Sequence, residues 1–153
     1  MLGLIRIRGA AADEADALER LQRRSSDVWE QYREQLAAHP DAIELPQTFI
    51  DAGWVRVAVA EDATVVGFSV LIPTDHRVYE LDGLFVEPHC MGVGVGRALV
   101  QDAVQRAARA GAELLEVTAG PAQGFYEKVG FAVVGAAETR FGSAVRMRRG
   151  LAA

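Results

Sequence analysis

Residues 81–100 read LDGLFVEPHCMGVGVGRALV, and the architecture can be worked out in both directions from this stretch. An apolar strand pattern runs up to Pro88, three glycines follow at positions 92, 94 and 96, and an apolar helical pattern begins directly after them. Alternate glycines let the backbone approach a ligand closely, and a helix start presents free N–H groups with a positive dipole end. The stretch therefore predicts a strand, a loop that binds phosphate or pyrophosphate, and a helix.

Strand and helix patterns alternate on both sides of this loop. We expect a second helix to start from an N-cap at Ser26 and to end at His39-Pro40, and residues 41–51 to be irregular. Strand, crossover helix and strand over residues 78–118 predict one parallel pair in an otherwise antiparallel sheet, an α/β or α+β fold. Strands are predicted at 4–8, 54–60, 65–72, 78–86, 113–118, 131–134 and 143–147, and the other helices at 13–24, from the loop to 110, and at 121–129.

Composition narrows the class of protein. The chain has 153 residues, 50% of them apolar and 24% charged, which is typical of one globular domain, and we set its bounds at 1–153. The net charge of -5 argues against a nucleic-acid partner. Cys90 is the only cysteine, which excludes a disulfide framework, and no metal-ligand spacing is present. Without a signal peptide or a long apolar run, we expect a cytoplasmic protein with no membrane partner.

The glycine spacing limits the kind of phosphate ligand. It matches neither the nucleotide P-loop nor the dinucleotide fingerprint G-x-G-x-x-G, and no Lys-Ser/Thr follows Gly96. The loop also follows a late strand, whereas nucleotide folds place theirs after the first. A nucleotide-binding protein is therefore the weakest of the alternatives.

Two motifs resemble those of the GCN5-related N-acetyltransferase (GNAT) superfamily. The stretch from Leu84 to Arg97 is similar to the family's pyrophosphate loop, Q/R-x-x-G-x-G/A, with Met91 in place of the Gln or Arg. Residues 122–131, AQGFYEKVGF, are similar to the family's A-x-x-F-Y-x-x-x-G-F signature. The resemblance implies a GNAT-type mixed, mostly antiparallel sheet with a splayed parallel strand pair and about four helices.

The resemblance also implies the cofactor, acetyl-CoA, and where it binds. Pantetheine is expected to pair with the backbone of residues 84–86, and pyrophosphate with the amides of residues 91–97. Met91 lacks the usual polar side chain and Ala119 replaces a frequent asparagine, but neither change removes an amide donor. The expected cofactor-binding residues are Leu84, Phe85, Val86, Met91, Gly92, Val93, Gly94, Val95, Gly96, Arg97, Ala122, Phe125 and Lys128.

Acetyl transfer to an amine requires that the ammonium lose a proton and that the leaving thiolate gain one. Glu80 stands where some relatives carry a general base, and Asp82 lies two residues on, so either is a candidate base and Asp82 a candidate substrate ligand. Tyr126 is the expected acid, as in the family's motif. A backbone N–H near Phe85 or Val86 is the expected oxyanion donor.

The acceptor is expected to be a primary amine of a small molecule or peptide, bound beside the first two helices, where Trp29 and Tyr32 are candidate contacts. We predict a bacterial-type N-acetyltransferase acting by direct transfer in a ternary complex. The alternative is a non-catalytic acyl-CoA-binding module on the same fold, since Met91 and Ala119 depart from the pattern. A homodimer is compatible with either function.

Overall fold

Seven strands and five α-helices occupy residues 3–151, the part of the chain that this computed structural model describes. Short 3-10 turns at Pro40–Ala42 and Pro88–Cys90 join them. The strands are β1 Arg6–Gly9, β2 Val55–Val59, β3 Val65–Pro73, β4 Val78–Val86, β5 Leu114–Ala119, β6 Ala132–Thr139 and β7 Gly142–Gly150. The helices are α1 Ala15–Ser26, α2 Glu30–Ala38, α3 Gln47–Asp51, α4 Val95–Arg109 and α5 Gln123–Lys128.

The sheet has the strand order β1-β2-β3-β4-β5-β7-β6. The pairs β1–β2, β2–β3, β5–β7 and β6–β7 are antiparallel, whereas β4 and β5 are parallel and joined through α4. A parallel pair needs such a crossover because the chain must return to the same end of the sheet. The predicted fold class is confirmed: a mixed, mostly antiparallel sheet with one parallel pair. No helix of residues 3–151 is both long enough and apolar enough to cross a membrane.

The chain divides into two compact units, each with its own buried residues. The first contains the chain up to Val70 together with Gly83–Leu99, and the second contains Leu71–Asp82 and the chain from Val100 onward. In the first unit, Val95 and Leu99 at the start of α4 are buried in an apolar cluster with residues of β2 and β3. In the second, Leu115 on β5 and Met147 on β7 are fully buried. The predicted domain bounds of 1–153 stay a prediction.

The start of the second helix was predicted wrongly. Ser26 is the last residue of α1, and α2 begins four residues later at Glu30 with Trp29 at its N-cap. Helix α1 continues two residues beyond its predicted end. Arg23 and Arg24 lie in its last turn, where their positive charges favour the negative end of the helix dipole. Trp29 therefore precedes the first residue of α2, whereas Tyr32 lies within this helix. The predicted end of α2 before His39-Pro40 is confirmed.

Further elements differ from the sequence prediction. Strands β6 and β7 extend to Thr139 and Gly150, beyond their predicted ends at 134 and 147. Residues 41–51 were expected to be irregular, but α3 forms there directly after Pro46, which lies at its N-cap. A five-residue helix has less than two turns of periodicity, so no apolar repeat reveals it. The first strand is also displaced by about two residues, to Arg6–Gly9, because its register is set by antiparallel pairing with Val59–Arg56. It is an edge strand of the sheet.

Replacing Gly67 on β3 by alanine is expected to destabilise the fold by about 1–3 kcal/mol. A Cβ at this position would lie 2.9 Å from the carbonyl oxygen of Phe85 and 3.0 Å from Cγ1 of Val95. The backbone oxygen cannot move without displacing β4, so the free energy of unfolding falls. Urea unfolding of Gly67→Ala measures this loss. Gly9→Ala on β1, where a Cβ meets nothing within 4 Å, is the matched control, and an equal loss in both variants would contradict the explanation.

Candidate functional site

The glycine loop joins β4 to α4 through two residues in the left-handed backbone region. Gly92 has φ 81° and Gly94 has φ 96°, values that L side chains rarely adopt. A Cβ added at either residue meets nothing within 4 Å, so the space in front of the loop is open. The first hydrogen bond at the start of α4 runs from Ala98 N–H to Gly94 O at 3.0 Å. The N–H groups of Val95, Gly96 and Arg97 therefore precede it and are available to an anion.

The side chains of the loop separate into exposed and buried ones. Met91 and Val93 are exposed, at 39% and 62%, whereas Val95 and Cys90 are 1% exposed. The two buried side chains, Val95 and Cys90, belong to the apolar cluster of the first unit and anchor the loop in it. Burial is the main cause that raises the pKa of the Cys90 thiol, and the negative charge of Glu87 raises this pKa further. With no polar side chain at position 91, the backbone amides are the groups that this loop offers to an anion, as expected of a pyrophosphate loop.

Replacing Gly94 by alanine is expected to raise the Kd for acetyl-CoA about tenfold, because a left-handed L residue costs about 1–2 kcal/mol. The loop relieves this cost by leaving the conformation that aims its amides at the pyrophosphate. Thermal-shift titration with acetyl-CoA measures the change, since stabilisation follows RT ln(1 + [L]/Kd). ATP and NAD should stabilise the parent protein much less.

Gly111→Ala is the matched control for this prediction. Gly111 follows α4, has φ 91°, and a Cβ there also meets nothing within 4 Å. The control should lower the melting temperature through the same backbone cost and leave the Kd for acetyl-CoA unchanged. Equal Kd values for Gly94→Ala and the parent would exclude the loop as the phosphate site.

The end of β4, where pantetheine is expected to pair, is tied to the last turn of α1. Val86 N–H donates a hydrogen bond to the buried Ser25 hydroxyl at 3.3 Å. The residues next to this pair are also joined. Arg24, which precedes Ser25, donates two hydrogen bonds of 2.8 and 2.7 Å to Glu87, which follows Val86. This ion pair holds the pKa of Glu87 below its usual range. A ligand that pairs with Val86 N–H must take the place of the Ser25 hydroxyl, a contact that sequence analysis did not identify.

Parallel pairing between β4 and β5 ends at Glu80. The register runs Val78↔Leu114, Tyr79↔Leu115 and Glu80↔Glu116. Asp82 and the rest of β4 lie beyond the last of these pairs. Glu80 thus lies in the last of these parallel pairs.

Desolvation is the main electrostatic effect on the two candidate bases. It raises the pKa of Glu80, the negative charges of Asp82 and Glu116 raise it further, and the positive charge of Arg146 lowers it. Desolvation alone raises the pKa of Asp82, although its side chain is exposed to solvent. A carboxyl group can be exposed to solvent and still lose part of its hydration when protein atoms crowd around it. Both carboxyls are thus adjusted toward neutral pH, as a general base requires.

Three charged residues beside Glu80 were missed by the sequence analysis. Glu116 on β5 forms ion pairs with two arginines of β7: Arg148 at 2.7 Å and Arg146 at 3.5 Å. Arg148 is the cross-strand partner of Glu116, so Glu80, Glu116 and Arg148 form one row across three strands. The signal that could have found them is alternation, because each of these polar residues flanks a buried apolar one on its strand.

Tyr126, the expected acid, is 7% exposed on α5. Its ring meets those of Phe125 and Phe131 edge-to-face, with centroids 5.2 and 5.5 Å apart. These contacts fix the ring without involving the hydroxyl. Ala122 is the N-cap of α5, and Lys128 is its exposed last residue. The edge-to-face contact with Phe125 helps to fix the position of Tyr126, and the motif alone did not indicate this contact.

The expected acceptor-site residues lie around the start of α2. Trp29 is 37% exposed, and its carbonyl accepts a hydrogen bond from Tyr32 N–H at 2.9 Å. The side chain of Tyr32 is half-buried, and desolvation raises the pKa of its phenol. Arg33 is anchored by Nε, which donates to the carbonyl of Asp27. Trp29 and Tyr32 stay predictions as substrate contacts.

The first unit carries the glycine loop, residues 84–86 and the start of α2. The second carries Glu80, Asp82 and Tyr126 together with the newly found Glu116 and Arg146. Strand β4 runs continuously through both units, from Glu80 and Asp82 to the segment expected to bind pantetheine. The two candidate bases and the residues expected to pair with pantetheine therefore follow one another on a single strand.

Comparison with known proteins gives a family match and curated relatives. The model described as the acetyltransferase (GNAT) family matches residues 16–131. The chain is 32% identical over 135 residues to the peptidyl-lysine N-acetyltransferase YjaB of Salmonella typhimurium, covering 88% of each protein. It is 34% identical over 140 residues to the Escherichia coli protein of the same name, covering 88% of this chain and 87% of that one.

A solved structure supports the fold. The PaiA N-acetyltransferase of Thermoplasma acidophilum, in complex with coenzyme A, superposes with a TM-score of 0.78 at 22% identity, covering 96% of this chain and 99% of that one. At this identity the likeness concerns the fold. The matched family residues include the glycine loop and end at Phe131, the last residue of the second motif. The chain therefore belongs to the acetyltransferase (GNAT) family and is an N-acetyltransferase that uses acetyl-CoA.

Proposed function

We propose that this protein acetylates the ε-amino group of lysine residues in peptides or proteins, by direct transfer from acetyl-CoA in a ternary complex. The observation that carries the proposal is the similarity, over 88% of the chain, to two proteins named peptidyl-lysine N-acetyltransferase. The carboxyls at the end of the β4–β5 pairing support it, because a lysine ammonium is drawn to Glu80 and Asp82. Glu80 can then remove its proton.

Each candidate residue has one role in this proposal. Acetyl-CoA supplies the acetyl thioester, and the amides of residues 91–97 hold its pyrophosphate. Glu80 takes the proton from the lysine ammonium, while Asp82 holds the same cation. Tyr126 gives a proton to the departing sulfur, and a backbone N–H near Phe85 or Val86 stabilises charge on the carbonyl oxygen. Trp29 and Tyr32 contact the aliphatic part of the acceptor.

The setting and assembly of the protein are also part of the proposal. We place a single bacterial-type acetyltransferase domain in the cytoplasm, without nucleic acid or membrane as partners, in keeping with the net charge of -5. For assembly we propose a homodimer through β6, the last strand of the sheet order, where Val133 and Val134 are exposed. Unpaired backbone at a sheet edge favours pairing with another strand. Sedimentation equilibrium distinguishes this dimer from a monomer.

An acceptor panel tests the proposed function. Purified protein and acetyl-CoA are incubated with lysine peptides, their arginine counterparts, free amino acids, polyamines and aminoglycosides. Released thiol gives the rate, and mass spectrometry locates the acetyl group. Acetylation of lysine peptides with the highest kcat/KM supports the proposal. Preference for a small amine contradicts it, and acetyl-CoA binding without any thiol release supports the alternative of a non-catalytic module.

A further inference from the structure

A cluster of opposite charges surrounds Glu80 at the last paired residues of β4 and β5. In parallel strands, register partners place their side chains on the same face, so Glu80 and Glu116 are direct neighbours. Like charges in this arrangement repel one another and destabilise the ionised pair. A strand pair of purely structural purpose has no need of two such carboxyls side by side.

The two arginines of β7 compensate Glu116 unequally. Arg148 lies directly opposite Glu116 and forms the shorter ion pair, 2.7 Å between Nε and Oε2. Arg146 lies two residues earlier on β7, paired with Thr118, and its Nε reaches Oε1 of Glu116 at 3.5 Å. Glu116 is thus anchored by Arg148, while the guanidinium of Arg146 is held more loosely and stays half exposed.

The positive charge of Arg146 also acts on Glu80 and lowers its pKa. The charged groups that affect Glu80 are Asp82 on its own strand, Glu116 on β5 and Arg146 on β7. Glu116 and Arg146 act in opposite directions on the ionised form of Glu80. Desolvation is the main cause that raises the pKa of Asp82.

We propose that Glu116 and Arg146 are positioning residues that set, from opposite directions, the protonation state in which Glu80 meets the acceptor amine. This inference rests on the proposed function, because Glu80 acts there as the base. It adds two residues outside both family-like motifs.

The signs follow from charge alone. Glu116→Gln removes a negative neighbour, so ionisation of Glu80 becomes easier and its pKa falls. Arg146→Gln removes a positive neighbour, so the pKa of Glu80 rises. Since the base must be ionised, the acidic limb of the kcat/KM profile should move to lower pH in the first variant and to higher pH in the second. The double variant should return close to the parent.

Two readouts test the proposal on the full-length protein. The carboxyl carbon of Glu80, labelled with ¹³C and assigned by its loss in Glu80→Gln, is titrated by NMR in the parent and in each variant. The pH profiles of kcat/KM are then measured with the same lysine peptide for every variant. The titration of the peptide's own amino group therefore affects all the profiles equally. Arg146→Lys should restore the limb toward its parent position, because it keeps the charge.

Arg77→Gln and Glu113→Gln are the matched controls. This exposed ion pair joins the residues just before β4 and β5 and has the same two charges, but it lies three residues away from Glu80 and Glu116. The controls should leave the Glu80 titration in place, and melting temperatures show that every variant is folded.

Opposite displacements in both readouts support the proposal. An unmoved Glu80 titration in the two cluster variants overturns it whatever the acceptor is. An NMR titration that moves while the kcat/KM limb stays fixed also overturns it and transfers the role of base to Asp82. If the NMR titration moves but no lysine peptide is acetylated, the proposed function fails and the electrostatic control of Glu80 stands.

Discussion

Tyr126→Phe is expected to lower kcat about 10²-fold or more and to change KM little, because general acid catalysis contributes about 10²–10⁴-fold. The substitution removes only the hydroxyl that would protonate the departing sulfur. The edge-to-face contacts with Phe125 and Phe131 involve the ring, so they persist and the fold is preserved. Steady-state thiol release at saturating acetyl-CoA measures the effect, and a melting curve checks the fold.

Tyr79→Phe is the matched control for Tyr126. Tyr79 is a half-buried tyrosine on β4, next to Glu80 and opposite Leu115, to which no catalytic role is assigned. Its variant should keep kcat near the parent value. An unchanged kcat in Tyr126→Phe would remove Tyr126 as the acid, and a rise in KM alone would mean that the hydroxyl only binds substrate.

Glu80→Gln is expected to lower kcat/KM about 10²-fold and to abolish the acidic limb of its pH profile. Glutamine has nearly the same shape but accepts no proton, and it cannot attract the ammonium through charge. Desolvation and the neighbouring carboxylates raise the pKa of Glu80, so in the parent its activity should fall as pH drops through that raised value. Thiol release over a pH series measures both effects.

Asp82→Asn and Glu113→Gln complete this experiment. Asp82→Asn should raise KM for the acceptor more than it lowers kcat, because Asp82 is proposed to hold the cation. Glu113→Gln, an exposed carboxylate next to β5, should leave the profile as in the parent. If Asp82→Asn loses the acidic limb and Glu80→Gln keeps it, the roles of the two carboxyls are exchanged.

Much of the fold was predictable because its signals are local. Strand β4 was predicted with its observed ends. Helix α4 was predicted to begin after the third glycine, but it begins at Val95 and contains Gly96. The short helix α3 and the start of α2 were missed for the opposite reason. Neither has a strong cap or a long apolar repeat, and their bounds depend on tertiary contacts with the rest of the chain.

The candidate site was predictable only where a motif records it. Gly92 and Gly94 belong to a pattern whose chemistry follows from residue type and spacing, and the expected role of Tyr126 is implied by the resemblance of its motif to that of the family. Glu116 and Arg146 belong to none, because their effect on Glu80 depends on strand register, and a shift of one residue would turn their side chains to the other face. Ser25 was missed similarly: its contact with Val86 spans 61 residues and depends on where α1 ends.

The placement of Lys128 has a practical consequence for testing the proposed acetylation of lysine. It is the only lysine among 16 basic residues, and the other 15 are arginines, whose guanidinium groups are not acceptors of this kind. The enzyme thus offers its own catalytic centre a single ε-amino group, at the exposed end of α5. Self-modification at lysine is confined to this one site, so in Lys128→Arg every lysine acetyl group found belongs to the substrate.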